Sequence, residues 1–350
     1  MTAADRVPAE TRQKLGWLLP TLTQSLGGYT LSALPILIVG SMAFDDLEFP
    51  IPVPDPTDAT APPRQSFTDV VGGAATYASL CASTFAPVRV VAVVGEDFPD
   101  AMLATMTARG IDTEGVERAP GLTFRWKGRY RPDFVGRDTL DTQLNVFADF
   151  QPRLPTSYGA TPIALLGNIH PALQLAVLEQ LTAPRTVIAD TMNLWLETQP
   201  EEVARLLPAV DILVINDEEA RILSGIHNIT LAAEEILKRG PKRLIIKRGE
   251  FGCLYFDDEG VFAAPALPLE LVADPTGAGD SFAGGLAGYL AAQPVVDHRT
   301  MRQAIAHGTA TASFCVQAVG TGGVAALTTA EVAARVAQLR ALVDLSDGVT

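Results

Sequence analysis

The stretch Asp274-Pro275-Thr276-Gly277-Ala278-Gly279-Asp280-Ser281-Phe282-Ala283-Gly284-Gly285-Leu286-Ala287-Gly288-Tyr289 joins an irregular, proline- and glycine-containing loop to a run of helical composition, with a carboxylate at the junction. A loop that runs into a helix leaves backbone N–H groups unpaired and aimed outward, the arrangement that binds an anion. Gly277 and Gly279 let that backbone come close to phosphate oxygens. A helix end gives a neighbouring charge only about 0.3–1 kcal/mol, rising towards ~2 when partly buried, so several N–H contacts must share the work. Asp280 at the mouth of such a site suffers repulsion from a bound phosphate unless it has a task, and removing the proton of an acceptor hydroxyl is one. The plainer alternative is a helix N-cap, a position that favours Asp. Gly284, Gly285 and Gly288 each cost about 1 kcal/mol relative to Ala inside a helix, so a neighbouring backbone or a ligand must approach this helix closely.

Upstream, short aliphatic runs recur at Ile36–Val39, Val88–Val94, Ile163–Leu166, Val187–Ala189, Ile212–Ile215 and Leu244–Ile246. Continuous rather than alternating hydrophobicity predicts strands buried on both faces. Helical segments separate them at Ala74–Thr84, Pro99–Arg109, Ala172–Leu181, Asp217–Leu223 and Leu231–Arg239. The alternation predicts an α/β fold with a doubly wound, mainly parallel sheet and helices on both faces. Asp257-Asp258-Glu259-Gly260 between Cys253–Phe256 and Val261–Ala264 reads as a hairpin, and the chain from Gly279 onward as mostly helical. Two stretches break the rhythm: Phe49–Arg64, with six prolines, and Thr123–Phe150, whose polar and apolar residues alternate. Together they predict a small β lid built from segments near 45–70 and 120–150 on a main domain spanning 35–350, preceded by an extension over 1–34.

The 350 residues suffice for one large domain or two. With 26 Lys and Arg against 40 Asp and Glu the formal charge is −14, the wrong sign for a nucleic-acid partner. Residues 1–34 hold no apolar stretch long enough for a membrane span, and the three scattered cysteines give neither a disulfide framework nor a zinc site. A cytoplasmic location is the working expectation. A P-loop, an H-R-D loop and H-E-x-x-H are all absent, as is G-x-G-x-x-G after the first strand, which argues against a dinucleotide-dependent oxidoreductase.

The segment Asp274-x-Thr276-Gly277-Ala278-Gly279-Asp280-Ser281-Phe282 resembles the C-terminal signature of the ribokinase-like carbohydrate kinases, the PfkB family of sugar and nucleoside kinases that includes adenosine kinases. The resemblance covers roughly residues 35–335 and implies an ATP-dependent kinase that phosphorylates a primary hydroxyl of a sugar or nucleoside. It makes Asp280 the catalytic base and the amides of Gly277, Ala278 and Gly279 an anion hole, with Thr276 on the nucleotide side. Gly40-Ser41-Met42-Ala43-Phe44-Asp45 follows the first strand as the family's sugar-binding Asp does, and Gly72-Gly73 resembles its di-glycine signature. Asn216-Asp217-Glu218-Glu219 fits N-x-x-E, which implies magnesium and phosphate held through water, with Glu219 as the metal-side carboxylate. Lys247-Arg248-Gly249-Glu250-Phe251-Gly252 matches a turn near ATP, marking Lys247, Gly249 and Gly252, and His307 aligns with a residue bordering the adenine. Each has a structural alternative: a surface turn for Asp45, a glycine-opened helix for Gly72 and Gly73, helix-dipole chemistry for Glu219, a hairpin turn for Gly249 and Gly252, and a packed helical residue for His307. Potassium dependence and a homodimer through the lid are further properties that the family allows.

The sequence departs from the family at Thr76-Tyr77, where relatives often carry Asn, and at Ala74, where ribokinases proper have Lys. A strict ribokinase is therefore not expected. Arg125, Lys127, Arg129 and Arg131 alternate with Trp126 and Tyr130, so a strand here carries a basic face and an aromatic face. The basic face in the cleft would suit a phosphosugar or the ATP phosphates, the aromatic face a nucleobase; a lid strand packed on a partner subunit is the structural alternative. A phosphosugar kinase of the same family and a non-catalytic nucleotide- or sugar-binding sensor are the competing functions.

Overall fold

The computed structural model describes residues 33–50, 64–131, 134 and 136–344. Nearly all of the 1–34 extension and the interior of the proline-rich stretch, 51–63, lie outside the described residues. The strands are β1 (Ile36–Val39), β2 (Ala43–Pro50), β3 (Arg64–Gly72), β4 (Val88–Val94), β5 (Ile111–Arg118), β6 (Phe124–Tyr130), β7 (Arg137–Gln143), β8 (Ile163–Leu166), β9 (Thr186–Asp190), β10 (Ile212–Asn216), β11 (Arg243–Lys247), β12 (Cys253–Asp257) and β13 (Gly260–Ala264). The helices are α1 (Ala74–Ala82), α2 (Asp100–Ala108), α3 (Pro171–Glu179), α4 (Asn193–Thr198), α5 (Pro200–Leu206), α6 (Asp217–Ser224), α7 (Ile229–Leu237), α8 (Ala278–Ala291), α9 (His298–Cys315) and α10 (Thr329–Val343).

Nine strands form one sheet in the order β13-β12-β11-β10-β9-β8-β1-β4-β5. All neighbours are parallel except at the β11/β12 and β12/β13 pairs, the hairpin legible around Asp257–Gly260. Every residue of β1 is fully buried because both faces are covered. Ile36 and Ile38 pack with α1, α8 and α9, while Leu37 and Val39 face the side that carries α3, α5 and α7. The strand order reverses at β1, which lies between β4 and β8. Such a switch point opens a crevice at the carboxyl ends of the strands, and Asp190, Asn216 and Lys247 each end a strand there.

The second sheet has the order β3-β2-β6-β7, with β2 and β6 parallel and both outer pairs antiparallel. Phe49 stacks on Tyr130 at 5.3 Å to give it a small core of its own. Two features differ from the sequence expectation. Strand β5 escapes the search for apolar runs because it is the sheet's edge and Ile111 is its one buried residue. Helices α4 and α5 are too short, at 6 and 7 residues, to show a helical period.

The glycines of α8 answer to protein neighbours. A methyl at Gly284 would overlap the carbonyl oxygen of Ala78 in α1, one at Gly288 would come within 2.9 Å of the Ala82 carbonyl, and one at Gly285 would strike Thr311 of α9. The cost of glycine in this helix is the condition for its close seat between α1 and α9. Gly284→Ala should therefore destabilise by about 1–3 kcal/mol through overpacking, even though alanine favours a helix by about 1 kcal/mol. Urea unfolding should show a lower midpoint at unchanged slope.

Candidate active site

The seat of α8 fixes the loop before it. Helix α8 starts at Ala278, and its N-cap is Gly277 in the left-handed region at φ 75°. Asp280 is thus the third helical residue rather than the cap, and no side chain hydrogen-bonds its carboxylate among the described residues. The N–H groups of Gly277 and Gly279 meet no acceptor among the described residues, whereas that of Ala278 lies 3.3 Å from the Pro275 carbonyl. Two of the three expected anion-hole amides are therefore wholly free for a ligand.

The loop is held from below and from the side. Asp274, fully buried, accepts hydrogen bonds from the N–H of Thr276 at 2.8 Å and of Gly320 at 2.9 Å. The Cys315 thiol donates to the Thr276 carbonyl at 3.3 Å. The Tyr77 ring fills the space against Gly277 where any side chain would have to go, and its buried hydroxyl has no hydrogen-bond partner. From the small sheet, the Tyr130 hydroxyl lies 2.7 Å from the Thr276 hydroxyl, a direct link between lid and loop.

Asp45 stands on β2 and is 5% exposed. Its carboxylate occupies the volume that a Cβ on Gly72 would need, which gives this glycine a steric role in the site. Gly73 at φ 94° turns the chain into α1. Burial, with Asp274, Asp280 and Asp46 adding like charge, pushes the Asp45 carboxyl up to about 8, against the pull of Arg137. Burial and Asp190 likewise raise Asp280 to about 7, opposed by Lys247 and Arg137.

A second group lies at the ends of β9, β10 and β11. Lys247 Nζ is 3.3 Å from Asp190 Oδ2 and would be 3.1 Å from a Cβ on Gly279, so it sits under the loop. Burial draws its pKa down, but Asp190, Glu219 and Asp280 outweigh burial and hold it above the ordinary lysine value. Asn216 and Glu219 form a reciprocal cap of α6, with Glu219 N–H donating to Asn216 Oδ1 at 2.8 Å and Asn216 N–H to Glu219 Oε2 at 2.6 Å. Burial raises Glu219 to about 7, opposed by Lys247 and reinforced by Asp190. No group of three or more Asp, Glu, His or Cys side chains forms a direct metal cage among the described residues. The hard oxygens of Asp190 and Glu219 fit a dication held through water.

Gly249, Gly252 and His307 lie on other elements. Gly249 and Gly252, at φ 55° and 80°, make the turn joining β11 to β12, closed by the Arg248 N–H on the Gly252 carbonyl at 2.7 Å. His307 stacks on Tyr289 at 4.1 Å, meets Phe85 edge-on, and has Nδ1 2.7 Å from the Gln303 carbonyl. Tyr289 is nine residues beyond Asp280 on α8, about 13.5 Å along the axis at 1.5 Å per residue. The structure thus does not bring His307 to the Asp280 loop, and its ring is committed to aromatic packing.

The lid resolves the two-faced strand. Asp45 pairs with Trp126 and Tyr130 with Arg137 in the register, so these four share a face. Trp126 lies over Gly128, with the Arg137 guanidinium 5.8 Å from its ring. The basic face is consumed by ion pairs: Arg125 with Asp69 and Asp97, Lys127 and Arg129 with Glu48. Sequence reasoning missed Asp190, Tyr77 and Arg137 as site residues. Only Asp190 left a usable signal, as a lone acid ending an apolar run.

Residues 36–328 match the pfkB family carbohydrate kinase domain. The chain is 30% identical to the cytidine kinase of Thermococcus kodakarensis over 270 residues, 75% of this chain and 91% of that one. It is 28% identical to the 2-dehydro-3-deoxygluconokinase of Dickeya dadantii over 264 residues, covering 66% and 80% of the two chains. The nucleoside kinase of Methanocaldococcus jannaschii superposes at a TM-score of 0.69, with 20% identity over 88% of this chain and 99% of that one. The protein belongs to the PfkB family and is a sugar or nucleoside kinase, a phosphotransferase.

Four carboxyls raised above their unfolded values, Asp45, Glu219, Asp274 and Asp280, make the native state the tighter proton binder, so stability falls as pH rises between the two sets of values. The contribution is complete near pH 4 and is lost as pH passes through about 7 to 8. The unliganded protein should melt at a lower temperature at pH 8.5 than at pH 6, and Asp45→Asn should shrink that difference. Differential scanning calorimetry across this range is the check.

Proposed function

We propose that the protein transfers the γ-phosphoryl group of ATP to a primary hydroxyl of a small acceptor lying between Asp45 and Asp280. Asp280 takes the hydroxyl proton as the acceptor oxygen forms its bond to the γ-phosphorus. The bond from that phosphorus to the β,γ-bridging oxygen breaks, and ADP leaves with the electron pair. The free N–H groups of Gly277 and Gly279 hold the charge on the transferring group, and Lys247, beneath the same loop, adds the nearest cation. Asp45 accepts hydrogen bonds from acceptor hydroxyls.

Magnesium, when bound with the nucleotide, supplies positive charge to the phosphate oxygens. Asp190 and Glu219 would hold it, Glu219 through water from Oε1, because its Oε2 is taken by the Asn216 N–H. The proposal includes a cytoplasmic location, with all three cysteines free and buried, and does not extend to potassium. Every residue of the lid's edge strand β7 is exposed, so the homodimer through the lid stays part of the reading, with light scattering as its check.

The observation that supports the reading most directly is Asp280 itself: a half-buried carboxylate in the first turn of α8, beside unpaired backbone N–H groups and with a pKa of about 7. A base of that pKa is half-ionised near neutrality, where general-base transfer works best. Asp280→Asn should lower kcat by about 10²- to 10⁴-fold while acceptor affinity stays within a few-fold. In the unaltered enzyme kcat/KM should fall as pH drops through about 7. Retention of near-normal turnover in the variant would remove Asp280 from the chemistry.

A further inference from the structure

At the amino-terminal ends of β9, β10 and β11, away from Asp190, Asn216 and Lys247 at their other ends, a cleft of about 290 Å³ lies against the loop that joins α8 to α9. Arg185, Lys242, Arg243 and Asp211 line it, together with Pro294, Val295 and Val296 of that loop. Three cations against one carboxylate is the reverse of the balance in the whole chain, whose formal charge is −14. The one carboxylate is already engaged: Asp211 Oδ1 accepts from Lys242 Nζ at 2.7 Å and Oδ2 from the Val187 N–H at 2.9 Å.

Among the described residues Arg185 and Arg243 pair with no carboxylate, and backbone carbonyls hold them instead. Arg185 Nη1 donates to the Gln293 carbonyl at 3.0 Å and Nη2 to that of Leu290 at 3.2 Å, closing the carboxyl end of α8. Arg243 Nη2 donates to the Val296 carbonyl at 2.8 Å, and its Nε is buried with no partner. A guanidinium has five N–H donors, so both anchored forks keep donors to spare. Burial draws the Arg185 pKa down and no acid draws it back. On the inner side, Arg243 acts on Tyr255, whose hydroxyl is given to Asp257 at 2.5 Å, and His298 holds the same carboxylate at 2.9 Å.

We propose that this cleft is a second anion site, which takes the phosphate group of a small phosphorylated metabolite or free inorganic phosphate. Two fixed guanidiniums and an ammonium around one space suit a tetrahedral dianion better than a carboxylate with its two oxygens. The volume falls at the lower end of ligand pockets, which run from ~300 to 1,000 Å³, so it suits phosphate or a short ester rather than a nucleoside triphosphate. The site is separate from the anion-binding loop: Leu290 is 13 residues beyond Gly277 on α8, about 20 Å at 1.5 Å per residue. The inference therefore stands independently of the kinase reading. A bound phosphate would link β9, β11 and the α8–α9 loop and so stabilise the folded chain.

The test uses the full chain in phosphate-free, low-salt buffer, with a non-hydrolysable ATP analogue and magnesium present to fill the nucleotide site. Calorimetric titration with inorganic phosphate, glycerol 3-phosphate and acetate should give one phosphate-binding site per chain with a Kd of about 1 mM or tighter, and acetate at least tenfold weaker. The better of the two phosphate ligands identifies ester or free phosphate as the occupant. Arg185→Gln with Arg243→Gln should weaken phosphate by about tenfold or more, as the loss of charged hydrogen bonds implies, and leave the affinity for the ATP analogue within twofold.

Those arginines also hold the α8–α9 loop, so Lys242→Glu is the second variant: the side chain is exposed, and its hydrogen bond is to Asp211. It should fold, weaken phosphate to a similar extent, and lose the rise in melting temperature that phosphate gives the unaltered protein. A purely structural role for the arginines lowers the melting temperature of their variant but leaves phosphate binding intact. That result, acetate binding as tightly as phosphate, or no phosphate binding below tens of millimolar would each overturn the proposal.

Discussion

The close contact between α8 and α1 is the constraint on which the site depends. Gly284 and Gly288 allow the two backbones to touch, and that seat sets the height of the loop at the head of α8. Helix α1 carries Tyr77, whose ring fills the floor against Gly277, and it follows closely on Gly72, whose missing side chain makes room for the Asp45 carboxylate. Asp45, Asp280 and the N–H groups of Gly277 and Gly279 are thus referred to one helix pair. A shift of α8 would disturb all three together, which is why glycines that weaken the isolated helix are tolerated at its centre.

The same compactness concentrates negative charge. Five carboxylates, Asp45, Asp190, Glu219, Asp274 and Asp280, gather at the strand ends. Asp274 is satisfied by the N–H groups of Thr276 and Gly320 and serves as a brace. Burial raises all three, but Asp45 and Asp280 carry no such partners and reach about 8 and about 7. The carboxylate that shapes the loop is hydrogen-bonded, and Asp45 and Asp280 are left without donors. Ionising Asp45 and Asp280 as pH rises through about 7 to 8 costs the folded state stability.

The parallel sheet was legible in the sequence because buried strands leave continuous aliphatic runs, as Ile36–Val39 and Ile212–Ile215 do, and the loop at Gly277–Asp280 because its residue types are rare elsewhere. What escaped depends on partners distant in the chain. Asp280, taken alone, reads more readily as a cap until the helix start at Ala278 is known. The basic strand at Arg125–Arg131 could face either way, and only pairing with β2, which brings Glu48 to one face and Asp45 to the other, settles it. The neighbours of His307, Tyr289 and Phe85, lie far from it in the chain and could not be read from its own helix.

A net charge of −14 also has to be reconciled with a polyanionic phosphate donor. The basic strand of the lid offers no help, because its cations are spent on Asp69, Asp97 and Glu48. What remains is local: the N–H groups of Gly277 and Gly279, and Lys247 held cationic by its three acidic neighbours. Lys247 keeps its charge because of the carboxylates that also repel phosphate, so removing them would weaken the cation as well as the repulsion.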